Sequence, residues 1–147
     1  MNQIKETYNL TEEILVGMGL QPLKREGYQM EVEYMGEKFL INFTPGFVHI
    51  GKDAIMYVRY NDPWLYLIKE AANITNHRYG YTIIWGNANN AGFIPFRSQL
   101  TMLLAPQIPH IEIYLKSALD TYFVSKEIFT NTYMGLMDQS KESNNMN

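Results

Sequence analysis

The chain has 147 residues, 46% of them hydrophobic, 14% aromatic and 18% charged, with a net charge of −3 and no cysteine. That composition excludes disordered, collagen-like and disulfide-built proteins and leaves a globular chain able to bury a core. Without thiols there is no cysteine nucleophile and no thiolate metal site.

The first predicted element is a helix over residues 3–18. Ile4, Tyr8, Thr11, Leu15 and Met18 recur at helical spacing, and Gly19 and Pro22 end it. The period then changes to two. Tyr28, Met30, Val32 and Tyr34 alternate with Gln29, Glu31 and Glu33, which predicts a half-exposed strand. After the turn Met35-Gly36-Glu37, Phe39, Ile41 and Phe43 carry the core face of a second strand, and Thr44-Pro45-Gly46 turns the chain again. Residues 47–60 are extended, either as one long strand bulged at Gly51-Lys52-Asp53 or as two short strands around that turn.

Asn61-Asp62-Pro63 marks a helix start, because an Asx side chain accepts free backbone N–H groups and Pro at the first helical position loses none. That helix runs to about His77. A hairpin follows: Tyr81 to Trp85, the loop Gly86 to Gly92, and a return strand to about Leu104 with Ile94, Phe96, Leu100 and Met102 on one face. A long helix begins after Pro109 and continues to about Leu136. Its stripe is Ile111, Leu115, Ala118, Tyr122, Phe129, Tyr133 and Leu136, with one missed step at Ser125. The order is α-β-β-β-α-β-β-α: an α+β fold with an antiparallel sheet of about five strands and helices packed on it. Residues 1–139 are expected to form one domain and 140–147 a disordered tail, since Ser140 to Asn147 is too polar to pack.

Charge is spread along the chain, and no stretch is basic enough to neutralise several phosphates, so nucleic acid is not an expected partner. The N-terminus lacks a basic and apolar leader, and no apolar run approaches the ~20 residues of a membrane span. The expected location is therefore the cytoplasm, with no membrane association.

No catalytic constellation is visible. There is no His-Glu-x-x-His motif, and His49, His77 and His110 read as structural or solvated side chains unless distant groups meet them in space. Glu12-Glu13 and the pair Glu31 and Glu33 lie on solvated faces, where acid–base chemistry lacks the dry cleft that raises a pKa. Gly86 to Gly92 leads into a strand, so it is a hairpin connection and not a phosphate loop. No serine sits in a Gly-x-Ser-x-Gly elbow. No catalytic, cofactor or metal residue is expected.

Apolar side chains in the wrong phase are the remaining signal. Leu40, Ile84, Phe93 and Leu103, with either Val48 or Ile50, fall on the sheet face opposite the core. A freely solvated antiparallel face alternates more strictly. These residues are the candidates for contact with a helix, a second subunit or a partner peptide.

The element order, the strand-turn-strand Glu33-Tyr34-Met35-Gly36-Glu37-Lys38-Phe39, the segment Ala71-Ala72-Asn73-Ile74-Thr75-Asn76 and the closing helix Leu115-Lys116-Ser117-Ala118-Leu119-Asp120-Thr121-Tyr122-Phe123 resemble the YbjN-like bacterial proteins. These are called sensory transduction regulators and share the fold of type III secretion chaperones. The resemblance covers roughly residues 5–136. It implies a non-catalytic α+β module, often dimeric, whose partners are other proteins, and it carries over no catalytic residue. A chaperone-like or regulatory protein-interaction module, binding a protein partner or itself as a homodimer and needing no cofactor, is the first expectation. The second is a small-molecule-binding protein or an enzyme with its pocket between sheet and helices, for which His49, Arg97 and His110 are candidate polar groups.

Overall fold

In the computed structural model, residues 3–76 and 80–145 are described; His77 lies outside them. Helix α1 (Gln3–Gly17) is followed by strands β1 (Leu23–Arg25), β2 (Gln29–Tyr34), β3 (Glu37–Thr44) and β4 (Phe47–Arg59). Helix α2 (Leu65–Asn76), strands β5 (Thr82–Trp85) and β6 (Phe93–Leu103), and helix α3 (Ile111–Asn145) complete the chain. The strands form one six-stranded sheet in the order β1-β2-β3-β4-β6-β5. Neighbours β1 to β4 pair antiparallel. Leu104 N–H donates to the Gly46 carbonyl at one end of β4, and Tyr60 N–H donates to Gly92 at the other, so β4 and β6 are antiparallel as well.

The predicted boundaries follow from local chemistry. Gly19 adopts φ +84°, Gly19 N–H donates to Val16, and Leu20 N–H donates to Leu15, which together close α1 with a Schellman motif. The β2–β3 hairpin leaves two residues, Met35 and Gly36, between the paired Tyr34 and Glu37. Both have positive φ, the geometry whose twist matches the flanking strands. Asp62 Oδ1 accepts the Trp64 N–H at 2.7 Å, which caps α2 as the Asn-Asp-Pro signal predicts.

Several expectations are corrected. A sixth strand, β1, pairs with β2 at the sheet edge; its three residues are all exposed and carry no burial pattern to read. Of the two readings of residues 47–60, the single long strand is the one present, over Phe47–Arg59. Val48 and Ile50 are both fully buried, paired with Phe43 and Ile41, so neither belongs to the outer face. Tyr28 sits in the turn before β2 with φ 55° and is exposed. Helix α3 does not stop near Leu136: residues 140–145, expected as disordered tail, are helical, and the Lys141 ammonium lies 5.9 Å from the Trp64 ring centroid. Ser125, the missed step of the α3 stripe, is nevertheless buried.

Contacts divide the chain into two compact units. The first is Met1–Asp53 with Gln99–Asp120; the second is Ala54–Ser98 with Thr121–Asn147. In the first, Leu15 of α1, Met30, Phe39, Ile41 and Ile50 of the sheet, and Leu115 and Leu119 of α3 are fully buried. In the second, Val58, Ile83, Ile94 and Phe96 of the sheet pack with Ile68, Ala71 and Ala72 of α2 and Phe129 of α3. Phe96 lies between Trp85 and Phe129, with centroids 5.5 and 6.4 Å away. In both units the helices therefore cover one face of the strands and leave the other open.

Candidate functional site

The open face is built by strand alternation: every residue between two core positions points away from the helices. In the first unit the polar groups of this face are paired with one another. His49 of β4 has both ring nitrogens occupied, Nε2 lying 2.8 Å from the Thr44 hydroxyl and Nδ1 2.8 Å from the Thr101 hydroxyl. Arg25 donates to Glu31 at 3.1 Å across β1 and β2. Leu40 is half-buried opposite Gly51, whereas Phe47 and Leu103 are exposed. The row of Asn42, His49 and Thr101 lies between the row of Leu40 and Gly51 and that of Thr44 and Phe47, so it separates the apolar side chains.

The second unit differs. Tyr57 of β4 is 60% exposed and Ile84 of β5 is 44% exposed, while Val58 and Ile83 beside them in sequence are buried. Arg59 of β4 holds its guanidinium 5.7 Å from the centroid of Phe93 of β6, a cation–π contact between the two strands. A groove of about 320 Å³ in the same unit is lined by Ile84, Trp85, Gly86, Asn87, Pro95 and Arg97. Neither Arg59 nor Arg97 has an acidic partner among the described residues. No Asp or Glu occurs in any strand residue of this unit.

The hairpin loop that forms one wall is ordered by a single side chain. Asn89 Oδ1 accepts the N–H groups of Ala91 and Phe93, both at 3.0 Å. Gly92 then takes φ +84°, a backbone conformation that favours glycine. At the free edge of the sheet, Asn76 at the end of α2 reaches β5. Its amide donates to the Ile83 carbonyl at 2.9 Å and accepts the Ile83 N–H at 2.7 Å, occupying the backbone groups that a further strand would use.

Titratable groups with shifted pKa values lie away from this surface. Tyr34 donates its hydroxyl to Asp120, and Lys116 pairs with Asp120 at 2.8 Å. The Lys116 ammonium and the Tyr34 hydroxyl hold Asp120 below the usual carboxylate range. The Asp120 carboxylate in turn raises the Tyr34 phenol and the Lys116 ammonium. Burial, then the neighbouring Tyr122, pushes the Tyr81 phenol up. None of these groups lines the groove at Arg97 or the shallower one at Gly19, Leu20, Gln21, Glu33, Met35 and Gly36.

The four candidate contact residues are thus split by the structure. Leu40 and Leu103 belong to the first unit, in different rows; Ile84 and Phe93 belong to the second, beside Arg97 and Arg59 respectively. Of the candidate pocket groups, His49 is bonded to two threonines and Arg97 lines a surface groove. His110 precedes α3 at φ 52°, with its carbonyl accepting the Tyr114 N–H. Sequence inspection did not single out Tyr57 or Arg59. Their signal was the odd phase of residues 55–59, hidden by the uncertain division of the 47–60 segment. Among the described residues no three His, Asp or Glu side chains gather as a metal cluster, and no helix is long and apolar enough to cross a membrane.

No protein-family model matches the chain, and no curated protein does. A solved structure does: YbjN from E. coli, "a putative transcription regulator", superimposes with a TM-score of 0.59 over 90% of this chain and 92% of that one, at 10% sequence identity. The element order, the antiparallel sheet and this likeness together show that the chain has a YbjN-like α+β fold.

Proposed function

We propose that the protein is a non-catalytic interaction module, regulatory or chaperone-like, that engages a protein partner through the open face of its sheet. The carrying observation is the exposure of large apolar side chains on that face in the second unit: Tyr57 and Ile84 are each more than 40% exposed. Large apolar side chains left exposed beside polar groups are a usual mark of an interaction site. The fold likeness to a regulator supports the same reading, as does the placement of the shifted titratable groups in pairings away from either groove.

Site-specific photo-crosslinking tests it. A crosslinking residue at Ile84 or Tyr57 is expected to capture discrete protein adducts in cells. The same residue at Val124, equally exposed on α3, is expected to capture none of them. Equal labelling at all three positions would count against the proposal. Light scattering over a concentration series then tells a second copy of the chain from a different partner.

A further inference from the structure

The geometry points to an extended acidic and apolar segment of another protein as the occupant of the second unit's open face, with its carboxylates on Arg59 and Arg97. This inference rests on the interaction reading above and adds the chemistry of the partner.

Charge complementarity carries it. The two compact units differ in charge: the first holds six Lys/Arg and ten Asp/Glu, the second six and five. Within the second unit's strands the only charged side chains are Arg59 and Arg97, both exposed and without acidic partners among the described residues. A guanidinium presents a planar fork that carboxylates match in two parallel hydrogen bonds. Pro95 lies between Phe93 and Arg97 on the same face of β6, and Ile84 lines the groove with Pro95 and Arg97. Arg59 stands over Phe93, and Arg97 is four residues further along β6, a separation of about 13 Å at roughly 3.3 Å per residue. An extended segment with carboxylates four residues apart and an apolar residue midway spans the same distance and presents all three side chains to one side.

Other occupants fit less well. The Asn76 amide blocks the β5 edge at Ile83, so a peptide cannot gain its affinity by joining the sheet and must be held by side chains on the face. A second copy applied by a two-fold axis through this patch would bring arginines against arginines. Two arginines neutralise too few phosphates for nucleic acid at physiological salt.

Fluorescence anisotropy on the full chain tests the inference. The probe is a short fluorescein-labelled peptide in which glutamates four residues apart flank a central leucine, with serine elsewhere. Companion probes replace glutamate by glutamine or by lysine, and a labelled single-stranded oligouridylate serves as the nucleic-acid probe. The glutamate peptide is expected to bind and the others not. Arg59→Gln and Arg97→Gln should each weaken it about fivefold, as expected for partly exposed ion pairs, while Arg25→Gln in the first unit should leave it unchanged. The double variant Arg59→Glu/Arg97→Glu should lose the glutamate peptide and bind the lysine one. Binding of oligouridylate in place of the peptide, or binding of the peptide unaffected by both arginine variants, would overturn the inference. So would no binding to any probe. If crosslinking at Ile84 still captures protein in that case, the interaction reading stands and only the partner chemistry falls.

Discussion

The two compact units present faces of the same sheet that solve the same problem differently. In the first, a strand surface left open to water is made inert: His49 is tied to Thr44 and Thr101, Arg25 to Glu31, and the apolar Leu40 is kept apart from Phe47 by a polar row. In the second, apolar and aromatic side chains adjoin two arginines with no acidic partner among the described residues. An open sheet face is therefore not in itself an interaction surface. What distinguishes the two is whether the polar groups spend their hydrogen bonds on each other or leave them for a partner.

The contrast depends on the second unit being a rigid platform, and Phe96 is where it breaks most easily. Phe96 is fully buried between Trp85 and Phe129, so Phe96→Ala should cost about 3–5 kcal/mol in denaturant unfolding. A cost under about 1 kcal/mol would mean that the face has no packed support. Asn76→Ala comes next. It removes both bonds to Ile83 and should cost about 1–3 kcal/mol, because a partly buried backbone pair is left without partners. It also uncovers the β5 edge, so concentration-dependent oligomers in light scattering are the second expected sign.

His49→Val acts on the first unit and sharpens the comparison directly. Stability should change by about 1 kcal/mol or less, since the freed threonine hydroxyls can bond water. The apolar side chains on either side of position 49 would now be joined, and binding of a hydrophobic dye should rise well above that of the parent chain. Unchanged dye binding would show that the polar row does not insulate them.

The smallest effect is electrostatic. Asp120 is held below its ordinary value by Lys116 and Tyr34, so its contribution is present above the unfolded carboxylate value near 3.8 and is lost as pH falls through the lower folded value. The Tyr34 phenol is raised, so its contribution is present below the unfolded value of 10.0 and is lost as pH rises through the folded one. Asp120→Asn should flatten both limbs of the stability–pH curve by under about 1 kcal/mol, because the carboxylate is nearly half exposed and screened. A curve unchanged in shape would show that the cluster is not formed in solution.

How far the sequence reveals this molecule depends on whether the information is local. Alternation in 28–34 and 39–43, the Asn-Asp-Pro helix start and Gly19 are local signals, and the elements they predict are present. Residues Phe47-Val48-His49-Ile50 alternate too weakly to define a phase; pairing of Val48 with Phe43 and Ile50 with Ile41 does so across strands. Strand β1 is three exposed residues held by β2, with no burial of its own to betray it. The C-terminal polar run is helical because an established helix propagates cheaply once nucleated. At the candidate surface, Ile84 and Phe93 stand out as apolar residues in the wrong phase. That Arg59 covers Phe93 and Arg97 shares a groove with Ile84 follows from inter-strand register, which no short window contains.

The most direct measurement is a backbone amide spectrum of the full chain titrated with the glutamate–leucine peptide. Shifts are predicted to cluster at Tyr57, Arg59, Ile84, Phe93 and Arg97 while Leu40, His49 and Thr101 stay in place. Shifts confined to the first unit's residues, or a spectrum that does not change, would contradict it.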